Sequence, residues 1–235
     1  MSVQIPQNGG PTVLFDDFIS NDAVTDNAIG QLGWQFTTIG NAATLAYQTA
    51  TKNGVLRITT AATADGDGTA LHLFPDGLVL KAGVEFGARV RHPVELASLN
   101  FRFGMDDSVT ATAPGTGVWF GSDAGVLTGQ AFSNDHGDST AVTVAGHPDL
   151  TSGTTLVVGE WVDLQCVLSG ENAQGGPGRA TFYINGVNVG STDVNIDDDE
   201  EVEPKLAVWQ DSGGADAVAF EVDYAYFVIP RGARA

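Results

Sequence analysis

Lys205-Leu-Ala-Val-Trp209-Gln-Asp-Ser-Gly-Gly214, followed by Val218-Ala-Phe220-Glu-Val222-Asp-Tyr224-Ala-Tyr226-Phe-Val228, decides how this chain is read. Two strand-like runs flank a glycine-bearing turn, and the second closes the chain. In that second run Val218, Phe220, Val222, Tyr224 and Tyr226 share one face, while Ala219, Glu221, Asp223 and Ala225 share the other. A period of two describes a half-buried antiparallel strand. The alternation sends Phe220, Val222 and Tyr224 inward. It also sets Glu221 and Asp223 side by side on the opposite face, as the first acid pair to weigh for catalysis.

Outward from this stretch the same period recurs. Predicted strands are Trp34–Ile39, Thr44–Gln48, Val55–Thr60, Ala70–Phe74, Val84–Arg91, Leu99–Met105, Gly117–Gly121 and Ala141–Ala145. Trp161–Leu168, Ala180–Ile184, Leu206–Gln210 and Val218–Val228 complete the set. Turn formers punctuate them, among them Lys52-Asn-Gly54, Pro75-Asp-Gly77, Gly175-Gly-Pro-Gly178 and Asn185-Gly186. The best place for a short turn or helix is Asp16–Ala28. Many short strands with frequent turns predict an antiparallel sandwich or barrel. Trp161, Leu164, Phe182, Ile184, Val208 and Phe220 are expected in its core. The acidic stretch Asn195–Pro204 reads as a loop. Residues 1–12 read as an N-terminal arm, 13–229 as a single domain and 230–235 as a C-terminal tail carrying Arg231 and Arg234.

Composition narrows the function classes. At 235 residues, area scaling predicts roughly 10,000 Å² of folded surface against roughly 35,000 Å² unfolded, so the chain can bury a sizeable core. Twenty-nine acids against ten bases give a formal charge of −19. Such a surface repels nucleic acid, whose binding needs basic residues on phosphates, and repels anionic membranes. The single cysteine, Cys166, excludes an intrachain disulfide. It shares a face with Val162, Leu164 and Leu168 and reads as a buried small hydrophobe. The opening residues lack the basic and apolar regions of a secretory signal. No run approaches the ~18 apolar residues of a membrane helix.

The order of several short pieces resembles a known family. Leu14-Phe15-Asp16-Asp17-Phe18 followed by Leu32-Gly-Trp34 looks like the entry strand of concanavalin A-like (laminin G-like) jelly rolls. Phe86-Gly-Ala-Arg89-Val-Arg91, Leu99-Asn-Phe-Arg-Phe103-Gly-Met-Asp106, Gly159-Glu-Trp161, Ala180-Thr-Phe182-Tyr-Ile184-Asn-Gly186 and the closing Val222-Asp-Tyr224 extend the likeness over nearly the whole chain. It is similar in particular to jelly-roll structural proteins of tailed-bacteriophage virions. The resemblance implies an all-β, two-sheet antiparallel jelly-roll sandwich of the lectin/glucanase type.

Five constellations are candidates for chemistry. Glu221 and Asp223, at i and i+2 on a strand, could approach the roughly 5–5.5 Å carboxyl separation of a retaining glycosidase. The glucanase relatives of the fold carry a third acid, where this chain has Ala225 or Tyr226, so the pair is expected to be solvated or turn-anchoring. Asp197, Asp198, Asp199, Glu200 and Glu201 offer oxygen ligands for Ca²⁺, but a plain run is a poor cage because alternate side chains diverge. Asp65-Gly-Asp67-Gly68 is too short for a full calcium loop. Asn134-Asp135-His136-Gly-Asp138, with Ser133 and Ser139 nearby and His72, His92 and His147 scattered, forms neither a zinc spacing nor a framed triad. Trp34, Trp119, Trp161 and Trp209 are expected to fill the core, with Trp119 and Trp209 the better candidates for stacking on sugars.

No catalytic, cofactor or metal residue is therefore assigned. The leading expectation is a non-enzymatic virion structural protein, a capsid decoration or head-fibre component assembled in the host cytoplasm. Its expected partners are the major capsid protein, other virion proteins or copies of itself, with neither nucleic acid nor membrane. The alternatives are a carbohydrate-binding module, which would bind a glycan, and a divergent secreted glucanase or lyase.

Overall fold

The computed structural model describes residues 10–19, 29–41, 43–48, 54–61, 66–73, 77–93, 99–108, 115–123, 126–135, 139–143, 150–151, 155–210 and 217–233. Eighteen strands and no helix occur among them. In chain order they are β1 (Thr12–Asp16), β2 (Gln35–Ile39), β3 (Thr44–Tyr47), β4 (Leu56–Thr59), β5 (Gly68–His72) and β6 (Leu78–Val79). Then come β7 (Glu85–Arg91), β8 (Leu99–Asp106), β9 (Gly117–Asp123), β10 (Val126–Phe132), β11 (Ser139–Thr143) and β12 (Leu150–Thr151). The last six are β13 (Thr155–Leu156), β14 (Val162–Ser169), β15 (Arg179–Ile184), β16 (Val187–Asp193), β17 (Glu201–Gln210) and β18 (Ala219–Ile229).

These strands form two antiparallel sheets packed as a sandwich. The eight-stranded sheet runs β16-β15-β14-β7-β18-β4-β3, with β1 also on β18; the ten-stranded sheet runs β12-β13-β10-β9-β8-β17-β5-β2, with β11 on β10 and β6 on β17. Sequence-distant neighbours dominate both, as in a jelly roll. The accessible surface is 10094 Å², close to the value area scaling gives for a folded chain of this size.

The core is a zip of phenylalanines between the sheets. Phe101 of β8 meets Phe220 of β18 at 4.8 Å between ring centroids, and Phe120 of β9 meets Phe182 of β15 edge-on at 5.0 Å. Phe86 of β7 and Phe103 of β8 cross edge-on at 5.8 Å. Such offset and edge-on pairs contribute beyond their buried area. Leu164, Phe182, Ile184, Val208, Phe220 and Cys166 are all buried, as the alternation implies.

Several expectations need correcting. The run Asn195–Pro204 is a loop only in its first half: β17 starts at Glu201, because Glu203 is neutralised within the sheet by Lys205. Strand β10 escapes a search for bulky alternation, since Gly129 and Ala131 stand at its inward positions. A Cβ on Gly129 would lie 2.5 Å from the Phe182 ring, so the small residues are what let that phenylalanine in. Strand β16 is polar and follows the Asn185-Gly186 turn, with Asn185 at φ 47° and Gly186 at φ 77°. Of Asp16–Ala28, residues 16–19 form no helix and 20–28 lie outside the described residues, as does the arm over 1–9. The Pro230–Ala233 turn packs against the domain, with Ala233 buried and its carbonyl accepting from Val79 N at 3.1 Å.

The central correction concerns β18. Its pairing with β7 shifts register between Val222 and Tyr224, so Asp223 is an inserted bulge residue. Phe220 and Val222 point into the core as expected, but beyond the bulge Ala225, Phe227 and Ile229 do so. Tyr224 and Tyr226 are thereby turned onto the outer face, beside Glu221. A bulge changes the facing of every residue beyond it.

Candidate functional site

The outer face of the eight-stranded sheet is built where β18, β7, β14 and β4 run side by side. Glu221 stands opposite Arg57 of β4 and Arg91 of β7. Arg57 donates through Nε to Glu221 Oε1 at 2.7 Å, and Arg91 Nε donates to Oε2. The Glu221 side chain is completely buried while Arg57 and Arg91 are 36% and 27% exposed. The expectation of a solvated Glu221 is thus overturned: its charge is held between two guanidiniums.

Asp223 departs from this pattern. Burial pushes its carboxyl above the usual range, against the pull of Arg89 at 3.6 Å and with Asp163 and Asp17 adding repulsion. Arg89 lies 3.8 Å from Asp163 as well. Tyr224 Oη donates to Asp163 Oδ1 at 2.9 Å and Tyr226 Oη to Glu85 Oε1 at 2.8 Å. Burial and these carboxylates push the Tyr224 phenol up to about 12 and that of Tyr226 higher still. Trp161, expected in the core, lies on this face instead, with the Arg91 guanidinium 4.5 Å and that of Arg89 5.7 Å from its ring. It precedes β14 in phase with the outward Asp163 and Gln165, whose alternation decides its side.

The outer face of the ten-stranded sheet carries a second polar cluster. Lys205 of β17, buried, lies 2.6 Å from Asp106 Oδ1 and 3.1 Å from Glu203 Oε1. Arg102 of β8 donates to Asp106 Oδ2 at 3.2 Å, and His72 of β5 sits 3.3 Å from Glu203. The Arg102 guanidinium stands 5.3 Å from the Trp119 ring and 5.8 Å from that of Trp209. These two tryptophans stand on the outer side of the sheet, and of the four only Trp34 belongs to the main core cluster between the sheets, with its Nε1 donating to buried Asp16 at 3.2 Å. Trp119 is buried under its neighbours, and Trp209 packs on Ala70 and Ala207.

Of the remaining candidates, the acidic run and the Asn134–Asp135 turn meet, and the others lie apart. Glu200 is pushed up by burial and by a hydrogen bond with Asp135, with Asp107 and Asp197 adding repulsion. Among the described residues no three His, Cys, Asp or Glu side chains are placed to hold a metal ion. Asp67 caps the Asn41 turn, accepting from its backbone N at 2.7 Å and its Nδ2 at 3.1 Å. His92 and Ser133 are buried, and burial pushes the Cys166 thiol well up. Asp65, His136, Asp138 and His147 lie outside the described residues, as does the side chain of Ser139. An open cleft beside β10 is lined by Phe132, Glu171, Asn172, Asp193 and Asn195.

The bases that hold these acids were not among the residues the sequence singled out. Arg57, Arg89, Arg91, Arg102 and Lys205 are five of the ten Lys and Arg residues, and all stand within strands. The outward phase of Arg89 and Arg91 was readable from Glu85-Phe-Gly-Ala-Arg89-Val-Arg91, where each odd position is outward.

No protein-family model matches the chain, and no curated protein does. Solved structures do resemble it. The carbohydrate recognition domain of Emp47p has a TM-score of 0.59 at 12% identity, over 95% of this chain and 98% of that one. An endo-β-1,4-glucuronan lyase from the fungus Trichoderma reesei gives 0.58 at 12% identity, over 94% and 96%. A β-glucanase from Bacillus licheniformis gives 0.56 at 9% identity, over 94% and 99%. The chain thus has the concanavalin A-like jelly-roll fold, shared by lectin domains and by polysaccharide-degrading enzymes.

Proposed function

We propose that this protein is a non-enzymatic, carbohydrate-recognising jelly roll. The observation that carries the reading is the ion-paired state of the strand-borne acids. A glycosidase needs one carboxyl kept protonated and another free to act as nucleophile or base. Here Glu221 is enclosed by Arg57 and Arg91, and Asp106 by Lys205 and Arg102. Both oxygens of each carboxylate are taken up by these cations, Glu221 by Arg57 and Arg91 and Asp106 by Lys205 and Arg102, so neither acid has an oxygen free to act on a sugar. Burial raises the Asp223 carboxyl, but Asp223 is paired with Arg89, and its neighbours Glu221 and Asp163 are held by arginines as well. The fold's use in lectin domains supports recognition as the remaining role. A glycan array probed with the full chain tests this: specific retention of a glycan class is expected, and blank arrays would contradict it.

A second reading concerns the setting. The order of motifs from Leu14 to Tyr224 resembles virion structural proteins of tailed phages, and this favours a multicopy decoration or head-fibre component bound to the major capsid protein or to copies of itself. Mass spectrometry of purified particles tests it; absence of the chain from the particles would remove the virion setting and leave carbohydrate recognition standing.

A further inference from the structure

The bulge at Asp223 builds a surface whose ligand class can be read. Without it, Tyr224 and Tyr226 would continue the inward phase of Phe220 and Val222. With it, they join Phe15 of β1 on the outer face. Phe15, 44% exposed, stacks on Tyr224 with centroids 5.9 Å apart and 26° between planes, and Tyr224 lies 6.5 Å from Tyr226. The Tyr226 ring rests against Gly87 of β7, where a Cβ would lie 2.5 Å from its Cε1. Glycine in a strand marks a close approach of this kind. Both hydroxyls are fixed, on Asp163 and on Glu85, and Gln165 Nε2 holds the same Glu85 oxygen at 2.9 Å. The rings are therefore preorganised, which lowers the ordering cost of binding.

Going across the strands, Tyr224, Arg89 and Asp163 stand in register on β18, β7 and β14, and Phe15 of β1, opposite Tyr226 in register, reaches Tyr224 diagonally. Three interstrand steps span about 14 Å. At one end is an open aromatic surface; at the other are a half-exposed guanidinium donor and a half-exposed carboxylate acceptor, Arg89 at 43% and Asp163 at 48%. Flat apolar rings beside both donors and acceptors suit a ligand with C–H faces and hydroxyl edges. Charge decides which ligands of that kind are admitted. The three guanidiniums of Arg57, Arg89 and Arg91 are outnumbered by the carboxylates of Glu85, Asp163, Glu221 and Asp223, on a body of charge −19. Uronic, sialylated or sulfated chains would be repelled.

We infer that the outer face of the eight-stranded sheet, centred on Phe15, Tyr224 and Tyr226, binds an uncharged glycan chain. This rests on the carbohydrate reading above and adds the face and the ligand class. The test is isothermal titration of the full chain with cellohexaose, laminarihexaose, maltohexaose and mannohexaose, alongside oligogalacturonate and a heparin hexasaccharide. At least one neutral hexasaccharide should bind and the two anionic ones should not. Tyr224→Ala and Phe15→Ser should each weaken that binding at least tenfold, while Trp209→Ala on the opposite sheet leaves it unchanged. Phe15→Ser alters an exposed side chain, so it remains informative if Tyr224→Ala folds poorly. Neutral binding lost only in Trp209→Ala would overturn the siting and spare the carbohydrate reading. Binding of the anionic chains alone would overturn the ligand class. No binding of any sugar would overturn both, and self-association abolished by Tyr224→Ala would then make the face a contact between copies.

Discussion

Replacing Glu221 by glutamine should destabilise the fold even if it changes no reaction. The side chain is completely buried and each oxygen accepts from a guanidinium, Oε1 from Arg57 and Oε2 from Arg91. Glutamine fits the space, but its NH₂ group would point at one of those donors, and the two positive charges would lose their counter-charge. Breaking a buried ion pair by removing one partner costs about 3–5 kcal/mol. Arg57 and Arg91 are 36% and 27% exposed, so water can recover part of their solvation, and the lower end, about 3 kcal/mol, is expected. For a domain of this size each kcal/mol moves Tm by about 2–4 °C, which gives a fall of about 6–12 °C. Thermal unfolding followed by near-ultraviolet circular dichroism reads this, with urea unfolding as a check. Asp223→Asn removes only a partly exposed partner of Arg89, and about 0–1 kcal/mol is expected. Converting the whole triad to apolar residues, Arg57→Met with Arg91→Met and Glu221→Leu, should restore much of the loss. A Tm within 2 °C of the parent in Glu221→Gln would refute the buried-triad reasoning.

Gly129→Ala should cost about 1–3 kcal/mol by overpacking, since its Cβ would meet Phe182 at 2.5 Å; pairing it with Phe182→Leu should recover stability, and no recovery would mean the clash lies elsewhere. The hydrogen bond from Tyr224 stabilises the fold fully below the phenol's unfolded pKa near 10 and is lost as pH rises through its folded value of about 12. Stability curves of the parent and Tyr224→Phe should therefore converge over that window, and a constant gap to pH 12 would contradict the assignment. Truncation after Pro230 strands the Val79 N–H that Ala233 O accepts and should cost about 1–3 kcal/mol; an unchanged unfolding midpoint would show that the turn contributes nothing.

The sheet architecture was legible because bulky residues alternate in the strands that form its core, such as Leu164-Gln-Cys166-Val-Leu168 and Leu99-Asn-Phe101-Arg-Phe103. Strand β10 was not, because its inward positions are Leu127, Gly129 and Ala131, small where a partner sheet intrudes. The facing of β18 could not follow from alternation alone. Val222-Asp-Tyr-Ala-Tyr-Phe-Val-Ile229 offers two apolar phases, Val222/Tyr224/Tyr226/Val228 and Ala225/Phe227/Ile229, and only pairing with β7 selects the switch between them at Asp223. The acids of the candidate site were visible in the sequence, but their state was not. Arg57 and Glu221 are 164 residues apart, and an ion pair formed across a sheet leaves no local spacing to read. The side that Trp119 and Trp209 take was hard to read for a related reason: each is bulky and strand-borne, yet alternates with Val118, Phe120 and Val208, which take the inward side, and Trp119 is buried all the same.

Recognition without catalysis is tested most directly by product analysis. The full chain is incubated for days with each polysaccharide class it retains on the array and with laminarin, agarose, alginate and glucuronan. Mass spectrometry then follows the oligosaccharides, and ultraviolet absorbance follows any unsaturated uronate. Chain lengths identical to those of the protein-free control are predicted, together with retention of at least one glycan. Shortened chains that disappear in Glu221→Gln or Asp223→Asn, while those variants remain folded, would contradict the central claim.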